Sequence, residues 1–151
     1  MIWLGSTMAE IAIDANVVVA HLYAADSHHT RSVQLLDRLE SDGHVIVLLD
    51  FLVQEAVSVL CRRAVERKTD PPDLDAALGV VRGWYDAGEV RFLAREEERL
   101  TGDVLDLVRD TAGALNFNDA LVVILKRHGA IEQFATFDGG FDSVEGFQRL
   151  S

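Results

Sequence analysis

The chain has 151 residues, 49% of them hydrophobic and 26% charged, and its 14 Lys and Arg against 25 Asp and Glu give a net charge of −11. That length makes one domain, residues 1–151, with a core large enough to stand without staples, and the single cysteine, Cys61, excludes a disulfide framework and fits a reducing compartment. The acidic balance excludes a protein that coats nucleic acid by broad phosphate neutralisation, while leaving room for one that grips a short segment.

Met1 to Ala9 has no basic run and only a short apolar one, so neither a secretory signal nor an anchor is expected. Met8 offers an alternative start to Met1, which makes residues 1–8 a candidate N-terminal extension. No stretch approaches the ~20 apolar residues that a membrane span needs, and a cytoplasmic location is expected.

Glu10 to Asp14 reads as a short buried strand followed by the apolar helix start Val17 to Leu22. Residues 30–41 carry Leu35, Leu36 and Leu39 on one side and stop at Gly43. Val45 to Leu49 is a second buried strand. In 52–67 the residues Leu52, Val53, Ala56, Val57, Leu60 and Ala64 define a helix face, with Glu55 in the first turn at the rim of the apolar arc and Cys61 as an inert neighbour of Leu60. Thr69-Asp70-Pro71-Pro72 opens the next helix, because proline costs nothing where an N–H would be unpaired anyway. Leu74, Leu78, Val81 and Tyr85 follow at helical spacing.

Val90 to Ala94 is a third strand, and Leu100, Val104, Leu107 and Val108 mark the helix after it. Glu96-Glu97-Glu98 suits that helix's N-terminal dipole. Asn118 reads as the N-cap of an almost wholly apolar helix over 119–128, ended by Gly129. Glu132 to Phe137 and Phe147 to Leu150 complete five strands. Strands alternating with helices predict a parallel sheet covered on both faces.

Four acids stand where such a fold would gather them. Asp14 ends Ile11-Ala12-Ile13, Asp138 follows Phe134 to Phe137, and Glu55 and Asp119 lie at helix starts. Strand C-termini and the N-termini of the following helices share one edge of an open parallel sheet. Singly, each acid reads as a turn former or as a first-turn residue serving the dipole. Together they would repel one another unless a cation held them, and oxygen ligands of this kind suit Mg²⁺ or Mn²⁺. A cation on two of them, with the others holding its waters, is suited to phosphodiester hydrolysis. The five histidines lack metal-ligand spacing, Asp138-Gly139-Gly140 lacks a P-loop lysine, and no serine, cysteine and histidine set competes. Arg62, Arg63, Arg67 and Lys68 follow Glu55 closely and form a candidate clamp for an RNA backbone, each of them suiting a helix end equally well.

Ile13-Asp14-Ala15-Asn16, Glu55 in its apolar helix, Asn118-Asp119-Ala120-Leu121 and Thr136-Phe137-Asp138-Gly139-Gly140-Phe141 resemble, in order and spacing, the PIN-domain family and its VapC-type toxins. The likeness runs over nearly the whole chain, and the last two motifs, about twenty residues apart, are its most specific part. It implies a three-layer α/β/α sandwich with a five-stranded parallel sheet and a Mg²⁺- or Mn²⁺-dependent endoribonuclease. It also implies an antitoxin partner whose tail blocks the acidic pocket, and a homodimer. Carried over, Asp14, Glu55, Asp119 and Asp138 form the catalytic and metal-binding set, with Asp14 and Asp119 as direct ligands. Asn16 and Thr136 match supporting polar positions, and Asp142 is a peripheral acid. Two rivals compete. A non-catalytic PIN-like scaffold should have lost acids first, and a phosphatase or receiver domain would want a lysine that residues 130–151 do not contain.

Overall fold

A computed structural model describes residues 7–66 and 71–151; the candidate extension before Thr7, and Arg67, Lys68, Thr69 and Asp70, lie outside the described residues. Four strands, β1 (Glu10–Ile13), β2 (Val45–Leu49), β3 (Val90–Arg91) and β4 (Gln133–Ala135), form one parallel sheet in the order β3-β2-β1-β4. Six helices connect them: α1 (Ala15–Leu22), α2 (His29–Ser41), α3 (Asp50–Val65), α4 (Pro71–Asp86), α5 (Ala94–Asp110) and α6 (Phe117–Arg127).

Strand alternation sorts the side chains to two faces. Ala12, Val47, Leu49 and Phe134 pack into one core with residues of α5 and α6, among them Leu100, Val104 and Leu121 to Leu125. Ile11, Ile13, Leu48 and Ala135 face the other, with Val17 to Val19, Leu35, Val53, Leu60 and Val81 from α1 to α4. Helices on both faces of a parallel sheet make the three-layer sandwich expected from the alternation of elements. The run Ala120 to Leu125 is buried throughout because α6 sits under the sheet centre, and the chain leaves it at Gly129 with φ +76, a backbone shape that suits glycine.

The expected fifth strand over 147–150 contracts to an isolated parallel bridge between Leu150 and Ala135. Leu150 still exchanges backbone hydrogen bonds with Thr136 and Phe134, each 2.9 Å. A 3₁₀ turn over Gly139–Ser143 brings the chain back so tightly that Phe147 stacks on Phe141, ring centroids 5.1 Å apart, instead of lying in the ladder. β3 is likewise shorter than 90–94, because α5 begins at Ala94. Two local placements also shift. Helix α3 starts at Asp50, which puts Glu55 in its second turn, and the N-cap of α6 is Asn116, not Asn118.

The strand order reverses between β1 and β4, which follow neighbours on opposite sides of the sheet. Sites in such folds lie at that reversal, outside the strand C-termini. Asp14 leaves β1 there, and its N–H donates to Ala135 O of β4 at 2.9 Å.

Candidate active site

Asp14 caps α1. Its Oδ1 accepts the Ala15 N–H at 2.7 Å and its Oδ2 accepts the Thr136 hydroxyl at 2.7 Å, in a pocket that leaves Asp14 7% exposed. Thr136 is fully buried, and its oxygen also accepts from Asn16 Nδ2 at 3.1 Å and from the Asp138 N–H at 3.0 Å. A hydroxyl has one hydrogen and two lone pairs. Both lone pairs are taken by donors, so the hydrogen must point at Asp14. Asn16 closes the network by accepting the Phe137 N–H at its Oδ1, 3.2 Å away.

Asp119 enters from α6 and is held by a reciprocal cap. Its N–H donates to Asn116 Oδ1 at 2.9 Å, while the Asn116 backbone N–H supports its carboxylate. Glu55 reaches in from α3 and accepts from Asn118 Nδ2 at 2.9 Å, so the residue first read as a cap orients a carboxylate instead. Asp138 follows β4; its Oδ1 accepts the Gly140 N–H at 2.8 Å, and a side chain on Gly140 would press on that carboxylate, 3.0 Å away.

Asp119 is electrostatically coupled to Asp14, Glu55 and Asp138. The Asp14 pKa is pushed up to about 6, chiefly by burial; the hydrogen bonds from Thr136 and Ala15 oppose the rise, and the charges of Asp119 and Glu55 add to it. Asp119 is also pushed up to about 6, first by burial and then by Asp138 and Glu55. Among the described residues no Lys, Arg or His forms an ion pair with any of the four.

The other expected residues that the structure describes face partners of their own or solvent. Asp142 pairs with Arg149 through bonds of 2.8 and 3.2 Å, and that guanidinium lowers its pKa. Arg62 is exposed near the end of α3, while Arg63 is paired with Asp26 at 2.6 Å. Three further residues have roles that the sequence reading did not give them. Asn118 touches Glu55. Arg149 donates to Thr136 O at 3.1 Å and feels the charge of Asp138. Asp50 follows β2 as Asp14 follows β1, a signal visible in the sequence; it is 8% exposed with Oδ1 unpartnered, and its charge helps raise the pKa of Glu97.

The donor set fits a hard divalent cation, being all oxygen and anionic, with no ion pair to a basic side chain among the described residues. Among the described residues no three His, Cys, Asp or Glu side chains converge closely enough to hold an ion by themselves. Mg²⁺, which gives up its waters reluctantly, is commonly held through one or two carboxylates with water in the rest of its shell.

A PIN-domain family model matches residues 11–146. A VapC ribonuclease of Mycobacterium bovis and Ribonuclease VapC13 of Mycobacterium tuberculosis are each 29% identical to this chain over 144 residues, spanning 93% of it and 99% of their own length. Among solved structures, VapC20 of Mycobacterium tuberculosis, described as a Sarcin-Ricin loop cleaving toxin, superposes with a TM-score of 0.64 over 91% of this chain and 96% of its own, at 24% identity. With the family model spanning both cores and all four acids, the chain belongs to the PIN-domain family.

Proposed function

We propose that the protein is a Mg²⁺- or Mn²⁺-dependent endoribonuclease and the toxin of a type II toxin–antitoxin pair. One observation carries the chemistry: Asp14 and Asp119 are both pushed up to about 6 by burial and by neighbouring carboxylates, and among the described residues neither has an ion pair with a basic side chain. A group of acids that penalises its own fold is explained by a cation it is built to receive. Full-length correspondence to proteins named as ribonucleases supports the choice of RNA as substrate.

A bound divalent ion supplies charge neutralisation at the scissile phosphate and lowers the pKa of a water nucleophile. Asp14 and Asp119 would hold it, and Glu55 and Asp138 would orient its outer ligands. Thr136 and the Ala15 N–H fix the orientation of Asp14, each taking one lone pair, on Oδ2 and Oδ1 respectively. Asn118 does the same for Glu55. The Asn116 cap fixes Asp119 from below, so all three carboxylates are positioned before substrate arrives, as electrostatic catalysis requires. The toxin reading adds a small antitoxin that covers the acidic edge, action on RNA in the cytoplasm, and pairing of two copies. Arg62, exposed near the end of α3, remains the candidate of this reading for a contact with the RNA backbone.

Induction of the chain in a bacterial host tests the whole reading. Growth arrest with discrete RNA fragments is expected, relieved by the small protein encoded beside it and absent with Asp119→Asn. Normal growth, together with no cleavage by the purified protein in Mn²⁺, would leave a non-catalytic scaffold as the better description.

A further inference from the structure

Phe137 lies between Thr136, which holds Asp14, and Asp138, so its backbone belongs to the site. Its ring turns toward α2. There the Arg31 guanidinium carbon lies 4.4 Å from the ring centroid, and the His28 ring lies 5.3 Å away, tilted by 39°. Arg31 and His28 are both exposed.

The arginines around the site differ in what they already hold. Arg149 is committed to Asp142 and to Thr136 O, and Arg63 to Asp26. Arg31 rests on an aromatic face and has no carboxylate within ion-pair distance among the described residues. A guanidinium held by a ring keeps its N–H fork available for a phosphate, with which it can pair through two parallel bonds. In a chain of net charge −11, such a group, seated on the ring of the residue that precedes Asp138, marks a place for an anion.

The mount is also rigid. Asp26 Oδ1 accepts the His28 N–H at 2.8 Å, Asp26 Oδ2 accepts from Arg63 at 2.6 Å, and His29 Nδ1 meets Ala20 O at 2.7 Å. Arg63 therefore braces the loop that presents His28, a role distinct from gripping RNA itself. A ligand arriving at Arg31 has little ordering to impose, which favours binding.

We propose that Arg31, with His28 beside it and Phe137 as its support, is the subsite for the RNA phosphate next to the scissile one. The inference rests on the ribonuclease reading and names how that site takes hold of its substrate. Two charges then share the work: the acids and their cation act on one phosphodiester, and the Arg31 fork fixes its neighbour, setting the register of the strand.

The test uses Asp119→Asn protein, so that RNA is bound without being cut, and a fluorescent single-stranded oligoribonucleotide in Mg²⁺ across a salt series. Adding Arg31→Gln should weaken binding about tenfold and lower the slope of log K against log salt by about 0.7, the loss of one phosphate contact. Arg31→Lys should recover the slope and only part of the affinity, because a point charge replaces a fork. In otherwise wild-type protein, Arg31→Gln should raise KM and leave kcat largely intact. Arg82→Gln, on the far helix α4, serves as the control. If Asp119→Asn protein binds RNA and Arg31→Gln changes neither affinity nor slope, the subsite is wrong and the ribonuclease reading survives. If Asp119→Asn protein binds no RNA at all and the wild type cuts none, both fall.

Discussion

Thr136 donates its hydroxyl hydrogen to Asp14 across 2.7 Å, tying the end of β4 to the end of β1 at the point where the strand order reverses. The bond lowers the pKa of Asp14 against the burial that raises it. Thr136→Val keeps the shape, removes the donor, and leaves the Asn16 amide and the Asp138 N–H without their acceptor. We expect a loss of about 1–3 kcal/mol in stability and an acid limb of the pH–rate profile displaced upward. Thr136→Ser, which retains the hydroxyl, should restore most of both. A Val variant with an unmoved limb would show that the hydroxyl does not govern Asp14.

Asp14 and Asp119 are both pushed up to about 6, above the ordinary Asp value of 3.8. A carboxyl group whose folded pKa exceeds its unfolded value binds more protons when folded at intermediate pH, so stability falls as pH rises through that interval. Without metal, the protein should therefore be most penalised above about pH 6 and should gain stability as pH falls toward 4, by on the order of 3 kcal/mol at most for Asp14. Half-exposed Asp119 contributes less, because solvent screens it. Saturating Mg²⁺ should raise Tm at pH 7 and do little near pH 4. Melts that show the largest Mg²⁺ effect at the acid end would contradict this ordering.

Asp119→Asn removes the carboxylate coupled to the other three and keeps a side chain of the same shape at the start of α6. In EDTA at neutral pH it should stabilise the protein by about 1 kcal/mol, part of the gain being offset by lost interaction with the helix dipole. Leu121, 1% exposed in the same helix, provides the contrast. Leu121→Ala should cost about 2–5 kcal/mol with or without metal. An Asn variant less stable than wild type in EDTA would make Asp119 a structural cap first.

The two asparagines that flank the α6 start should separate cleanly. Asn116→Ala removes the cap on Asp119 and should cost about 1 kcal/mol of stability. Asn118→Ala frees Glu55 and should reduce kcat with little change in the thermal melt. Equal effects of both substitutions on the melt would assign Asn118 a capping role after all.

Fold class was legible because β1, β2 and β4 centre on apolar runs and α6 is apolar all round from Ala120 to Leu125, patterns that burial alone can explain. The acids were legible because each stands at a strand end or near a helix start. Asp50 is equally placed after Leu49, in the gap between the strand expected over 45–49 and the helix expected over 52–67, and the helix in fact begins at it. Asn116 and Asn118 are two residues apart with the same capping chemistry, and only the α6 backbone decides between them. The fifth strand failed for a tertiary reason. Phe147 finds a better partner in Phe141 than in the sheet, and no local propensity reports that. Arg31 was invisible because its meaning depends on a ring more than a hundred residues away.

Single-turnover cleavage of one structured RNA, followed as Mn²⁺ is titrated into wild-type and Asp119→Asn protein, tests the central claim most directly. The wild type should show a saturable Mn²⁺ dependence that EDTA abolishes, and Asp119→Asn should cut at least about a hundredfold more slowly at every concentration. Cleavage by a natively folded Asp119→Asn protein at the wild-type rate, or wild-type cleavage indifferent to EDTA, would contradict the assignment of the acidic set as the metal-holding catalytic centre.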